Sequence, residues 1–157
     1  MSFYLTRVPG RANLINDMAS QKKKTAKEWN ILLVEDDLTT RAQLLKSLSQ
    51  ISTCTTVETG EKAIEIYRKY SKKNKHFDFI LLDITIPGID GFEVLKTIRA
   101  EEESLKNNSK IPSHIIMVTA YKDSLMENYN MGWDDFITKP INSEKLIDRM
   151  HSIMEKK

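Results

Sequence analysis

Apolar residues in this chain fall into short unbroken blocks separated by stretches with helical spacing. Ile31–Val34 is such a block and runs into Glu35, Asp36 and Asp37; Phe79–Leu82 is another and runs into Asp83. Ser52–Val57 is rich in Thr and Val, His114–Val118 leads into Thr119-Ala120, and Asp134–Thr138 is followed directly by Lys139-Pro140. These read as five strands. Between them, Ala42, Leu45 and Leu48 share one face of a helix opened by Thr39 or Thr40. Ala63, Ile66, Tyr67 and Tyr70 do so in a helix from Gly60, and Phe92, Leu95 and Ile98 in one from Gly91 that dissolves into the polar stretch Glu101–Lys110. A fourth helix is expected between Asp123 and Gly132. A fifth, capped by Asn142 or Ser143, carries Leu146, Ile147, Met150, Ile153 and Met154 as core packing. Five near-continuous apolar strands alternating with five helices predict an α/β fold, a parallel sheet covered by helices on both faces.

Composition narrows this picture. The 157 residues, 40% of them hydrophobic, fit one domain. The net charge of +2 is unevenly spread: six basic and two acidic residues within 1–29 give that segment +4, leaving a body of −2. Residues 1–29 lack a sustained period and read as a basic arm or linker, with the folded domain over 30–157. An acidic body argues against direct nucleic-acid binding. No apolar run approaches the ~18 residues that cross a membrane, and a lone Cys54 suits a reducing cytoplasm.

Candidate chemistry follows from the strand ends. A carboxylate closing a strand buried on both faces costs several kcal/mol unless a cation or hydrogen-bond donor meets it. Parallel strands present their carboxyl ends at one edge, so Glu35, Asp36, Asp83, Thr119 and Lys139 are expected to gather there. Each alone has an ordinary reading: a turn acid, a strand threonine, a turn before proline. Together they place three carboxylates in one cleft, where each pair ~4 Å apart repels by roughly 4 kcal/mol. One lysine cannot neutralise three acids. A small hard dication with oxygen ligands can, and Mg²⁺ suits such a site. One Asp83 oxygen would remain beside Lys139 and the Thr119 hydroxyl, a pocket for a phosphoryl group with a carboxylate nucleophile.

The segments Ile31–Asp37, Leu82–Gly91, Val118–Ala120 and Phe136–Pro140 together resemble the receiver domain of two-component response regulators, the CheY-like family, over roughly residues 30–154. The resemblance implies a flavodoxin-like three-layer sandwich with strand order 2-1-3-4-5. It implies that Asp83 accepts a phosphoryl group from a phosphohistidine on a histidine kinase or phosphotransfer protein. It also implies that Glu35, Asp36, Asp83 and the Thr85 carbonyl hold Mg²⁺, and that Thr119 and Lys139 contact the phosphoryl oxygens. Phe136 is then the switch aromatic, acting on a face made by the fourth helix, the fifth strand and the last helix. That face would meet a downstream protein or a second copy in a homodimer. The resemblance is to domains that catalyse their own phosphorylation and dephosphorylation, not to turnover enzymes. Thr85 and Tyr121 occupy positions that tune the phosphate's lifetime in the family, and the charged stretch Glu101–Ser113 is long for its place.

Three alternatives differ in specific residues. A haloacid-dehalogenase-like phosphatase carries Asp-x-Asp after its first strand, whereas Asp83-Ile-Thr85 lacks the second acid and lies on the third. A pseudo-receiver would not keep the full set of acids, Thr and Lys. A receiver excised from a hybrid histidine kinase would carry the same set. The sequence closes at Lys157 after the last helix, from which output through a protein contact is expected. With no Gly-rich phosphate loop, ATP is not the expected donor.

Overall fold

The structure is a computed structural model and describes residues 28–104, 111–120, 125 and 129–156. Strands β1 (Trp29–Val34), β2 (Ser52–Val57), β3 (Phe79–Asp83), β4 (His114–Thr119) and β5 (Asp135–Thr138) form one parallel sheet in the order β2-β1-β3-β4-β5. Helices α1 (Leu38–Leu48), α2 (Gly60–Lys72), α3 (Gly91–Ser104) and α4 (Ser143–Glu155) connect and cover it, and Tyr129–Met131 forms a 3₁₀ turn before β5. The expected arm over 1–29 lies outside the described residues except for its last two. Of the helix expected between Asp123 and Gly132, Leu125 is helical and buried, and residues 121–124 and 126–128 lie outside the described residues. Four α-helices lie whole within the described residues, and the fifth expected falls mostly outside them.

Successive strand side chains point to opposite faces, and the two faces build separate cores. Leu32, Val34, Ile80, Leu82, Ile115 and Met117 meet Ala63, Ile64, Tyr67, Val94, Leu95 and Ile98 of α2 and α3. Ile31, Leu33, Phe79, Leu81, Ile116, Val118 and Ile137 meet Leu44, Leu48, Leu146 and Met150 of α1 and α4. A fully buried residue of this type stabilises by about 1.5–3 kcal/mol, whereas a helix cap contributes about 1 kcal/mol. The apolar blocks therefore dictate the topology and the caps only trim it.

Three local expectations change. The α1 N-cap is Asp37, whose Oδ1 accepts from Thr40 N at 2.7 Å, and not Thr39 or Thr40. A carboxylate in that place accepts an otherwise unpaired backbone N–H. The buried face of α1 is Leu44 and Leu48, four residues apart; Ala42 is exposed and Leu45 only half-buried. Finally, α3 does not dissolve at Glu101 but continues to Ser104. Its last turn is held by one long-range pair and one pair within the helix: Arg68 donates to Glu101 at 2.6 Å, and Arg99 to Glu102, three residues on, at 2.6 Å. Arg99 also donates to the carbonyls of Ser113 and Gly132 at 2.8 and 2.7 Å and to Asp134 at 2.7 Å. Glu102 in turn accepts from Ser113 N at 2.8 Å and from the Tyr67 hydroxyl at 3.3 Å.

Candidate functional site

The register brings the carboxyl ends of the inner strands level: Val34 pairs with Leu82, Asp83 with Val118 and Thr119 with Thr138. Beyond β3 the chain keeps one bond to β4 and then turns away from the sheet. Ile84 N donates to Val118 O at 3.1 Å, and Gly91 N closes the loop onto Ile84 O at 3.0 Å. Gly91 permits this because a Cβ there would collide with the Asp83 carbonyl oxygen and sit 2.8 Å from Ile84 Cα. Within the loop, Thr85 N donates to Asp83 Oδ1 at 3.0 Å, which fixes one oxygen of that buried carboxylate. Lys139 Nζ takes the other, Oδ2, at 2.7 Å.

Lys139 follows β5 directly and is tied to the end of β4, its own N–H donating to Thr119 O at 2.8 Å; the Lys139-Pro140 peptide is cis. Its ammonium also donates to Glu35 Oε1 at 3.1 Å and lies 2.9 Å from Oε2. Glu35 is only 1% exposed, Asp83 3% and Thr119 2%. Burial pushes the Glu35 carboxyl above the ordinary range, and the Asp83 charge adds to this; Lys139 and the Asp37 N–H offset only part of it. For Lys139, burial pulls the ammonium down, but its hydrogen bonds and charge pairing with Asp83 and Glu35 outweigh that and hold it above the usual lysine value.

Carboxylate oxygens of Glu35, Asp36 and Asp83 all lie within 4.8 Å of one another, with Asp36 the exposed member. Three negative charges thus face one ammonium. Glu35 Oε2 is buried and accepts no hydrogen bond, although it lies close to Nζ. A hard, oxygen-only donor set with an unsatisfied buried oxygen fits a small dication such as Mg²⁺. Thr85 is exposed on the adjoining loop, next to this trio.

Five of the expected residues, Glu35, Asp36, Asp83, Thr119 and Lys139, therefore lie at one edge, with Thr85 beside them. Phe136 lies apart on β5, paired with Met117 and half-buried against the α2–α3 core. Its ring meets Trp133 edge-on at 5.8 Å, and the Arg149 guanidinium lies 5.8 Å from its centroid. Arg149 also donates to Phe136 O at 3.1 Å and pairs with Asp135. The ring is thus bracketed from β5's approach and from α4, by two residues that sequence spacing did not single out.

Arg41 is a second residue missed. From the first turn of α1 it donates to Glu35 O at 2.9 Å and pairs with Glu58 at 2.8 Å, fastening the end of β1 to the turn after β2. An apolar-pattern reading gives such a long charged arm no weight.

Comparison with known proteins agrees with this geometry. The family model described as the response regulator receiver domain matches residues 31–151. The cell cycle response regulator CtrA of Brucella ovis is 31% identical over 127 residues, covering 80% of this chain and 50% of the relative, and CtrA of Brucella anthropi matches equally. The chain spans about half the length of these curated relatives. Among solved structures, the BeF3-activated DrrB receiver domain superposes with a TM-score of 0.64 at 25% identity, covering 82% of this chain and 98% of that one. The chemotaxis protein CheY4 of Vibrio cholerae superposes with a TM-score of 0.65 at 23% identity over 80% of this chain and 98% of its own, a likeness of fold.

Proposed function

The chain belongs to the response regulator receiver domain family, and from that premise we propose that Asp83 is its phosphoacceptor, charged by a phosphohistidine on a histidine kinase or phosphotransfer protein. The observation that carries the reading is Lys139 Nζ, which bridges the buried carboxylates of Asp83 and Glu35 at the carboxyl edge of the sheet. In the transfer, an Asp83 oxygen forms a bond to phosphorus while the phosphorus–nitrogen bond breaks, its electron pair returning to the imidazole. Lys139, already within reach of Asp83, then pairs with a phosphoryl oxygen, and the Thr119 hydroxyl donates to another. Glu35, Asp36, Asp83 and the Thr85 carbonyl would hold Mg²⁺, which when bound neutralises charge on the phosphoryl oxygens.

The output we propose follows from chain adjacency. Thr119 closes β4 and Phe136 lies on the neighbouring β5, so movement of Thr119 toward the phosphoryl group frees space for the ring. The surface altered is the one around β5 and α4, offered to a downstream protein or a second copy of the chain; the fourth helix expected beside it lies mostly outside the described residues. The domain's chemistry is its own phosphorylation and dephosphorylation, carried out in the cytoplasm without direct contact to nucleic acid. Among the described residues no helix is long and apolar enough to cross a membrane.

The test is incubation with acetyl phosphate and Mg²⁺ followed by intact mass. One labile phosphoryl adduct is expected, absent in Asp83→Asn. An adduct that survives the substitution overturns the assignment.

A further inference from the structure

The loop from Ile84 to Asp90 is fixed firmly at its two ends by the backbone bonds of Ile84 and Gly91, but its tip has a different anchor. Glu61, in the first turn of α2, accepts a hydrogen bond from Ile89 N at 3.0 Å through Oε1. Its carboxylate lies over Gly88, whose φ is +80°, so closely that a Cβ at Gly88 would collide with both carboxylate oxygens. The other backbone hydrogen bond between this tip and α2 is a long one, Gly60 N to Pro87 O at 3.4 Å, and Ile89 packs so closely on Gly60 that a Cβ there would meet its carbonyl oxygen. Glu61 is exposed, and hydrogen bonds from its own N–H and from Ile89 N–H hold its carboxyl below the ordinary range, so it meets the loop as an anion. Only Ile86 and Pro87 separate Thr85 from the glycine that Glu61 covers. Thr85 N is itself the donor that orients Asp83 Oδ1.

We propose that Glu61 is a positioning residue for the Asp83 site: by latching Ile89 N–H and seating against Gly88, it holds the Ile84–Asp90 loop so that Thr85 faces Asp83. This rests on the reading of Asp83 as phosphoacceptor with a cation beside it. Glu61 touches none of the reacting atoms. Its effect is on how often the loop presents Thr85 to the acidic cluster, and so on cation affinity more than on the transfer step.

The variants are Glu61→Ala, Glu61→Gln, which keeps an acceptor for Ile89 N–H, and Glu65→Ala, an exposed change one turn along the same helix. Amide hydrogen exchange on the metal-free protein reads the loop directly. Thr85 and Ile89 should exchange about 3- to 10-fold faster in Glu61→Ala, while Leu81 in β3 stays as in the parent. Mg²⁺ titrated by calorimetry should bind about 3- to 10-fold more weakly to Glu61→Ala. The rate of adduct formation from acetyl phosphate at saturating Mg²⁺ should stay within about 2-fold of the parent. Glu61→Gln should recover most of both losses, and Glu65→Ala should show neither. Unchanged exchange at Thr85 and Ile89 in Glu61→Ala overturns the latch, whatever the chemistry does. A parent protein that forms no Asp83 adduct overturns the functional reading beneath it, and the exchange data then separate the two failures.

Discussion

Replacing Lys139 by Met removes the ammonium that the two buried acids share and leaves a side chain of similar length. At an effective dielectric of about 20, a charge pair at 2.7–2.9 Å attracts by ~6 kcal/mol before the cost of taking the ammonium out of water is subtracted. Breaking one partner of a buried ion pair costs about 3–5 kcal/mol. The Lys139 side chain is 24% exposed, and that water contact lowers the expected loss at pH 7.5 without metal to about 2–3 kcal/mol, or about 5–10 °C in Tm. The pH dependence has a definite sign. Glu35 already sits above its ordinary value through burial, and without Lys139 it rises further, so the folded variant binds protons more tightly than the unfolded chain. Its stability is then greatest below the ordinary glutamate range and declines as pH rises through the folded value. The deficit against the parent should therefore shrink on acidification toward about pH 5. In the parent, the raised Lys139 value means that its contribution is complete below 10.5 and fades only as pH climbs through the folded value. Added Mg²⁺ should stabilise the variant more than the parent, because no ammonium competes for the same oxygens. Urea unfolding at pH 5 and 7.5, with EDTA and with Mg²⁺, measures the loss, its change on acidification and the Mg²⁺ response. A variant within ~0.5 kcal/mol of the parent at pH 7.5 in EDTA would refute the claim that Lys139 compensates buried charge.

The parent's melting temperature should rise with added Mg²⁺ and respond far less in Asp36→Ala; equal responses would mean that the acids are not the ligands. Gly91→Ala should destabilise by about 2–3 kcal/mol, because the new Cβ meets backbone and not a yielding side chain; a neutral result by urea melt would show that the loop can retreat. Arg99→Met should cost about 2–4 kcal/mol by taking the guanidinium from Glu102 Oε2 and from two carbonyls; an unchanged urea midpoint would contradict that. With beryllofluoride, Thr119→Ala should still bind the mimic but show smaller NMR shifts at Phe136 than the parent, and equal shifts would send the coupling by another route.

The gathering of these residues was legible because the strand ends alone bring them together. Strands buried on both faces show as apolar blocks, parallel pairing puts all their carboxyl ends on one edge, and Asp83 and Lys139 follow their blocks without a gap. Pairings that depend on reach were not legible. Glu101 and Glu102 look like the start of a polar loop until Arg68 and Arg99 are seen to hold them, and Arg68 lies 33 residues from Glu101. Arg41 and Glu61 act through the ends of long or exposed side chains onto backbone groups, which leaves no periodic trace. The face of α1 was misjudged because Ala42 counts as apolar in a pattern but is small enough to stay in water, while Leu44 and Leu48 make the sheet contact.

The polar clamp centred on Arg99 and Glu102 lies at the amino-terminal side of β4, away from the acidic edge. It seizes both flanks of residues 105–110: the helix turn before them, and the Ser113 N–H and carbonyl after them. Chain length between two points already tied together adds little closure entropy, only about 0.6 kcal/mol for each doubling. Residues added between these two clamped flanks would therefore cost little closure entropy, at the end of β4 opposite the one that carries Asp83's neighbours.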